Sequence, residues 1–135
     1  MPLSPQDALI YVMVMTSASD RAMNDQEMSR IGQLVKRLPV FSGFDVAGLP
    51  AVAERCATMM NEQATLDGVL DAVAEALPAR LRDTAYALAV EIAAADFTLE
   101  QEELRLLEII EERLEVDQLV AAAIKAAARA RYRRV

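Results

Sequence analysis

An internal repeat constrains the fold of this chain more than any other feature of its sequence. When the chain is aligned with itself so that Asp7 falls on Asp83, two further acids also coincide with acids: Asp20 with Asp96, and Glu27 with Glu103. In the same alignment, four apolar residues coincide with four others: Met28, Ile31, Leu34 and Leu38 with Leu104, Leu107, Ile110 and Leu114. Apolar residues spaced by three or four mark one face of a helix. The repeat predicts two similar helical hairpins, at about residues 4–40 and 80–116, with both leucines that end the stripes buried.

The composition favours helices throughout. Alanine, leucine and valine dominate, whereas Gly and Pro together supply only 9 of the 135 residues. Ala and Leu are strong helix formers, and no segment alternates as a strand would. We therefore expect an all-α fold, a compact bundle of about seven helices, in a single domain spanning residues 1–135. The expected helices are Ser4–Ser17, Asn24–Leu38, Leu49–Asn61, Thr65–Leu77, Ala79–Ala94, Glu100–Leu114 and Asp117–Arg131.

The scarcity of two residue types removes several chemistries. The chain has no histidine, and Cys56 is its only cysteine. Ser-His-Asp and Cys-His catalysis and Cys/His zinc sites are therefore excluded within the chain. Cys56 stands in a helical pattern of apolar residues, which predicts a small buried core residue rather than a reactive thiol. We expect a protein that is not an enzyme.

Three features predict a cytoplasmic protein that does not insert into membranes. A single cysteine cannot form an internal disulfide, which is typical of a reducing compartment. The longest apolar run, from Ala85 to Ala95, carries Glu91 and is shorter than the roughly 20 residues that a membrane span needs. No signal segment with a basic start is evident at the N-terminus.

Charge is unevenly distributed along the chain. The segment that follows Asp117 holds no acid and five of the 14 basic residues, so the rest of the chain carries 21 acids against 9 bases. An acidic surface repels phosphate backbones and attracts cations, which predicts no nucleic-acid partner. The basic C-terminal segment is expected to be a solvated helix end that complements the helix dipole, with contact to an anionic partner as the alternative.

The two predicted turns share a short motif: an Asp, a hydrophobic residue three positions later and a Glu seven positions later. One interpretation is structural, because Glu27 lies three positions after Asn24 at the spacing of a capping box. The other is chemical, because carboxylates are hard oxygen ligands suited to Ca²⁺ or Mg²⁺. In this second interpretation the metal ligands are Asp20, Glu27, Asp96 and Glu103, brought together by the repeat.

These residues resemble the tellurite-resistance TerB family, whose turns read Ala-Asp-Gly-x-hydrophobic before a helix start with Glu. Here the pattern is matched by Asp20, Met23 and Glu27, and again by Asp96, Leu99 and Glu103. The family's Gly is replaced by Arg21 and Phe97. The resemblance covers nearly the whole chain. It implies a compact helical bundle with an acidic surface that associates with divalent cations. It also implies an adaptor, rather than a catalyst, near membrane-associated complexes that respond to tellurite, metal or envelope stress.

Three functional hypotheses follow. The first is a non-enzymatic TerB-like module with protein partners and a divalent cation at its acidic turns. The second is a metal-free bundle for protein interaction or homo-oligomerisation. The third, given least weight, is a carboxylate-based metal-dependent hydrolase. Glu91 is expected at the edge of a helix face, with a role as a further ligand near Asp96 as the alternative. One acidic set is expected to be a solvated helix face: Glu108, Glu111, Glu112 and Glu115.

Overall fold

The computed structural model describes residues 3–17, 24–63, 66–95 and 101–135. These residues form seven α-helices: α1 (Pro5–Ser17), α2 (Asp25–Arg37), α3 (Leu49–Gln63), α4 (Leu66–Ala76), α5 (Arg82–Ala95), α6 (Gln101–Arg113) and α7 (Gln118–Arg131). Short 3₁₀ turns at Pro39–Phe41, Val46–Gly48 and Ala79–Leu81 lie between them. The described residues contain no strand. The predicted all-α bundle is confirmed.

Helix ends are determined by local hydrogen bonds that the sequence indicates. The Ser4 hydroxyl accepts the Asp7 N–H at 3.1 Å, and the Asp117 carboxylate accepts the Leu119 N–H at 3.1 Å. Such side chains satisfy backbone N–H groups that lack a partner within the helix. The fifth helix begins later than predicted, at Arg82, because the preceding Ala79–Leu81 segment forms a 3₁₀ turn.

Two helices with apolar residues on all sides form the centre of the bundle. Every residue of α1 from Ala8 to Thr16 is buried, and half of α5 is buried as well. A helix that is hydrophobic all round requires neighbours on all its sides. Accordingly, α1 packs against α2, α3, α4, α5 and α6, whereas α5 packs against α1, α6 and α7. Cys56 on α3 is fully buried against α1, as predicted, with its Sγ 3.8 Å from the Tyr11 carbonyl oxygen.

Three predicted core positions are wrong in part, since Met28 and Leu38 are half-buried and Leu104 is exposed. Leu104, placed in the buried stripe of α6, is 41% exposed, whereas Leu106, which is outside the predicted stripe, is buried. The buried face of α6 thus consists of Leu106, Leu107 and Ile110 and continues to Leu114 just beyond the helix, and Leu104 lies to one side of it. Leu38 is only half-buried because it caps α2 with an extended backbone and leaves the helical stripe.

Candidate functional site

The start of α2 holds Glu27, one of the four predicted cation ligands. The Asn24 side-chain oxygen accepts the Glu27 N–H at 2.8 Å, and the Asn24 N–H donates to Glu27 Oε1 at 2.9 Å. These reciprocal bonds form a capping box, with Asn in the position usually taken by Ser or Thr. The Ser17 hydroxyl donates to Glu27 Oε2 at 3.3 Å, so the same carboxylate joins the end of α1 to α2. The capping interpretation of Glu27 is confirmed.

The side chains of the other three predicted ligands are not among those that the structure describes. Asp20 and Asp96 lie outside the described residues. Glu103 is the third residue of α6, as Glu27 is the third residue of α2, but its side chain is not among those described. Within the described part of the chain, no group of three or more potential metal-ligating residues is placed to hold an ion. Convergence of the four carboxylates therefore stays a prediction.

The bounds of α2 and α6 agree with the alignment that defined the repeat, whereas α5 begins and ends slightly later than its alignment with α1 predicts. Asp25 and Gln101, where α2 and α6 begin, coincide in the alignment that pairs Asp7 with Asp83. Arg37 and Arg113, where the same two helices end, coincide in it as well. Glu27 and Glu103 therefore occupy equivalent positions, each as the third residue of its helix. Superposition of the two hairpins stays a prediction.

Glu91 is bound by the end of α7. The Arg131 Nη2 lies 2.7 Å from Glu91 Oε1, and the Tyr132 hydroxyl donates to Glu91 Oε2. Burial, followed by the hydrogen bond to Glu91, raises the pKa of Tyr132 above its ordinary value. Both carboxylate oxygens are thus occupied by side chains of the same chain, which accounts for a Glu within the apolar run of α5 without a cation.

Glu111 departs from the predicted solvated face of α6. It is half-buried, whereas Glu108, Glu112 and Glu115 are exposed as expected. The Lys125 Nζ lies 3.6 Å from Glu111 Oε1, and the Tyr86 hydroxyl donates to the same oxygen at 3.3 Å. The basic C-terminal helix therefore supplies counter-charges to the acidic bundle at two points, Lys125 and Arg131, in addition to having a solvated end.

A wide cleft opens between α1, α3 and α4, with a volume of about 1350 Å³. Arg55 on its wall lies 3.2 Å from Asp7, and Glu54, Glu62 and Glu75 make the rest of its charged lining acidic. Burial raises the pKa of the nearby Cys56 thiol to about 12, so this sulfur is protonated and inert at neutral pH. The cleft offers carboxylates and one paired arginine, a set that suits electrostatic binding of cationic groups.

A second, smaller groove lies between α5, α6 and α7 and has a volume of about 460 Å³. Its apolar lining consists of Val90, Ala93, Ala94, Leu104, Leu107 and Ala128. Its polar lining consists of Lys125, Arg129, Tyr132 and Arg133, all from α7 and the residues that follow it. We call this the α7 groove. It combines apolar walls with positive charge on a chain that is otherwise strongly acidic.

Sequence reasoning missed the α7 groove, although its signals are present. Lys125, Arg129 and Arg133 are spaced by four positions, which on a helix places side chains on one face. Ala128 and Tyr132 fall between them with the same spacing. The sequence does not show how this face lies against α5 and α6, because the spacing of the α6 stripe predicts that Leu104 is buried in the core.

The protein is of the all-α class, a helical bundle whose α2 starts with a capping box and whose described parts contain no strand. Within that class, a family model described as tellurite resistance protein TerB matches residues 6–126. The chain belongs to the TerB family. Neither a curated protein nor a solved structure matches it. No helix in the described segments has the length and apolarity needed to cross a membrane.

Proposed function

We propose that this chain is a non-enzymatic TerB module that binds a divalent cation, Ca²⁺ or Mg²⁺, at its two acidic inter-helix turns. The observation that carries the proposal is the equivalent position of two of the four acids. Glu27 and Glu103 are each the third residue of a helix, and those helices begin and end at positions that the repeat pairs with each other. In the sequence, the motif Asp precedes each Glu by seven positions.

The charge of the chain supports cation binding. The formal net charge is −7, and within the described residues the bases of α7 already pair with Glu91 and Glu111. Acids clustered at the turns repel one another, and a bound cation relieves that repulsion. A cation that binds only the folded protein raises the melting temperature by mass action.

A thermal melt with and without millimolar Ca²⁺ or Mg²⁺ tests the proposal. We expect the wild type to melt at a higher temperature with the cation, and the double variant Asp20→Asn, Asp96→Asn to lose that shift. The matched control is Glu62→Gln, Glu112→Gln, which removes two charges from exposed positions on α3 and α6. It should keep the shift. An unshifted wild type, or a shift that the Asp20, Asp96 variant retains, contradicts the proposed site.

The second candidate is a metal-free bundle for protein interaction or oligomerisation, and one observation favours it. The Glu27 carboxylate already accepts hydrogen bonds at both oxygens, from Asn24 and Ser17, and so caps α2 and joins it to the end of α1. In this case the acidic turns are capping devices and the melting temperature is independent of divalent cations. Sedimentation over a range of protein concentrations then reports whether copies of the chain associate.

In the cell, we place the module as a cytoplasmic adaptor in a response to tellurite, metal or envelope stress, with protein partners in membrane-associated complexes. The family to which the chain belongs supports this role. Cells that carry the gene should become more sensitive to tellurite when it is deleted. Wild-type protein should restore resistance, whereas the Asp20→Asn, Asp96→Asn variant should not. Equal sensitivity with and without the gene contradicts the stress role.

A further inference from the structure

We infer that the α7 groove is a binding site for a single-chain anionic amphiphile, such as a free fatty acid. This inference is independent of the proposed cation site, because it uses α5, α6 and α7 and none of the four motif acids. The cavity of about 460 Å³ lies within the size range of small-molecule sites. Such sites combine mostly apolar walls with a few polar groups that orient the ligand.

The walls of the groove suit an acyl chain. Leu104 is 41% exposed and projects from α6 beside the buried Leu107, while Val90 and Ala93 form the α5 wall. Leu104 lies to one side of the buried face of α6, which includes Leu106 and Leu107, and its partly exposed side chain lines the groove. An acyl chain lying in the groove removes the exposed part of Leu104 from water, and this burial favours binding.

The charges around the groove suit a carboxylate. Two of the basic residues near it are already used within the bundle, since Lys125 pairs with Glu111 and Arg131 pairs with Glu91. Arg129 and Arg133 line the groove and form no ion pair with any described residue. A guanidinium binds a carboxylate through two parallel N–H donors, so either arginine can hold the head group at the rim.

Charge complementarity selects an anion over a cation or a neutral chain. The segment that follows Asp117 carries five bases and no acid, whereas the rest of the chain has an excess of acids. An anion is therefore repelled from most of the surface and directed towards the end of α7. The groove is bounded by three helices, which suits one acyl chain better than the surface of a bilayer. A single fatty-acid monomer satisfies both the apolar walls and the arginines.

Calorimetric titration with decanoate, kept below its micelle concentration, tests the inference on the full chain. We expect saturable binding of decanoate. Acetate, which has the charge without the chain, and decanol, which has the chain without the charge, should bind the groove much more weakly. Equal binding of decanol, or no binding of decanoate, overturns the inference. Binding confined to vesicles of phosphatidylglycerol also overturns it, in favour of docking to a membrane surface.

Variants locate the site. Arg129→Gln with Arg133→Gln should weaken decanoate binding by about tenfold or more, because charge-assisted hydrogen bonds to the carboxylate are lost. The control Arg37→Gln with Arg80→Gln removes the same charge from exposed positions outside the groove and should leave the affinity unchanged. Leu104→Gln keeps the helix and the size of the side chain but makes the wall polar, and should also weaken binding. Equal affinities in all these variants contradict the assignment.

Discussion

The two hairpins of the repeat differ in what covers them. In the first, α1 is enclosed by five other helices, and Leu38, the residue that caps the end of α2, is half-buried. In the second, α5 is covered on one side by α7, and Leu114 at the end of α6 is fully buried. The bounds of α2 and α6 agree with the alignment of the chain on itself, but burial at the matching positions Leu38 and Leu114 differs. Neighbouring elements therefore decide which of the matching residues are buried.

The largest expected effect comes from truncating the two matching leucines. Leu114→Ala should lower the free energy of unfolding by about 2–5 kcal/mol, because a fully buried leucine leaves a cavity. Leu38→Ala should cost less, about 1 kcal/mol, because its side chain is partly solvated and the site can relax. Chemical denaturation of both variants measures the difference. Equal losses would show that the hairpins are equivalent in packing as well as in helix bounds.

Alkaline pH should destabilise the protein through groups on the second hairpin and on α3. Burial, and then the nearby Glu111, raise the pKa of Tyr86 from 10.0 to about 12, and burial raises that of Cys56 from 9.0 to about 12. The folded protein therefore holds these protons more tightly than the unfolded chain. The resulting stability is fully present below pH 9.0 and is lost as the pH rises towards about 12.

Denaturant unfolding at a series of alkaline pH values measures this loss, and the Tyr86→Phe variant is the control. Phenylalanine has no titrating group, so the free energy of unfolding of the variant should fall less steeply with pH than that of the wild type. The comparison uses slopes, since the variant also loses the hydrogen bond to Glu111. Parallel slopes would assign the alkaline loss to other groups.

The smallest effect concerns the cap of the first hairpin. Glu27→Ala removes the carboxylate that bonds Asn24 and Ser17, and should cost about 1 kcal/mol. Glu27→Gln should cost less, because Gln also serves in a capping box. Cation binding at the proposed site should be weakened by Glu27→Gln, because the Gln amide lacks the negative charge of the Glu carboxylate. If Gln preserves stability but reduces the cation-dependent shift in melting, Glu27 has both roles; if it preserves both, Glu27 is a cap alone.

The helix caps could be predicted from the sequence, whereas the packing between helices that are distant in sequence could not. Ser4, Asn24 and Asp117 mark helix starts because the capping bond depends only on residues two or three positions away. The ion pair of Glu91 with Arg131 joins residues 40 positions apart. No periodicity indicates such a pair, so an acid within an apolar run was open to interpretation as a ligand. The exposure of Leu104 and the α7 groove depend on the same long-range packing.

The central claim is that the two acidic turns converge on one cation, and paramagnetic broadening by substoichiometric Mn²⁺ tests it most directly. In an amide-resolved NMR spectrum, signals of Asn24 and Asp25 at the first turn and of Gln101 at the second should broaden first and together. The exposed acids Glu54 and Glu75, which line the cleft between α1, α3 and α4, should broaden only at higher Mn²⁺. Broadening at one turn alone, or first at the cleft, would contradict a shared site.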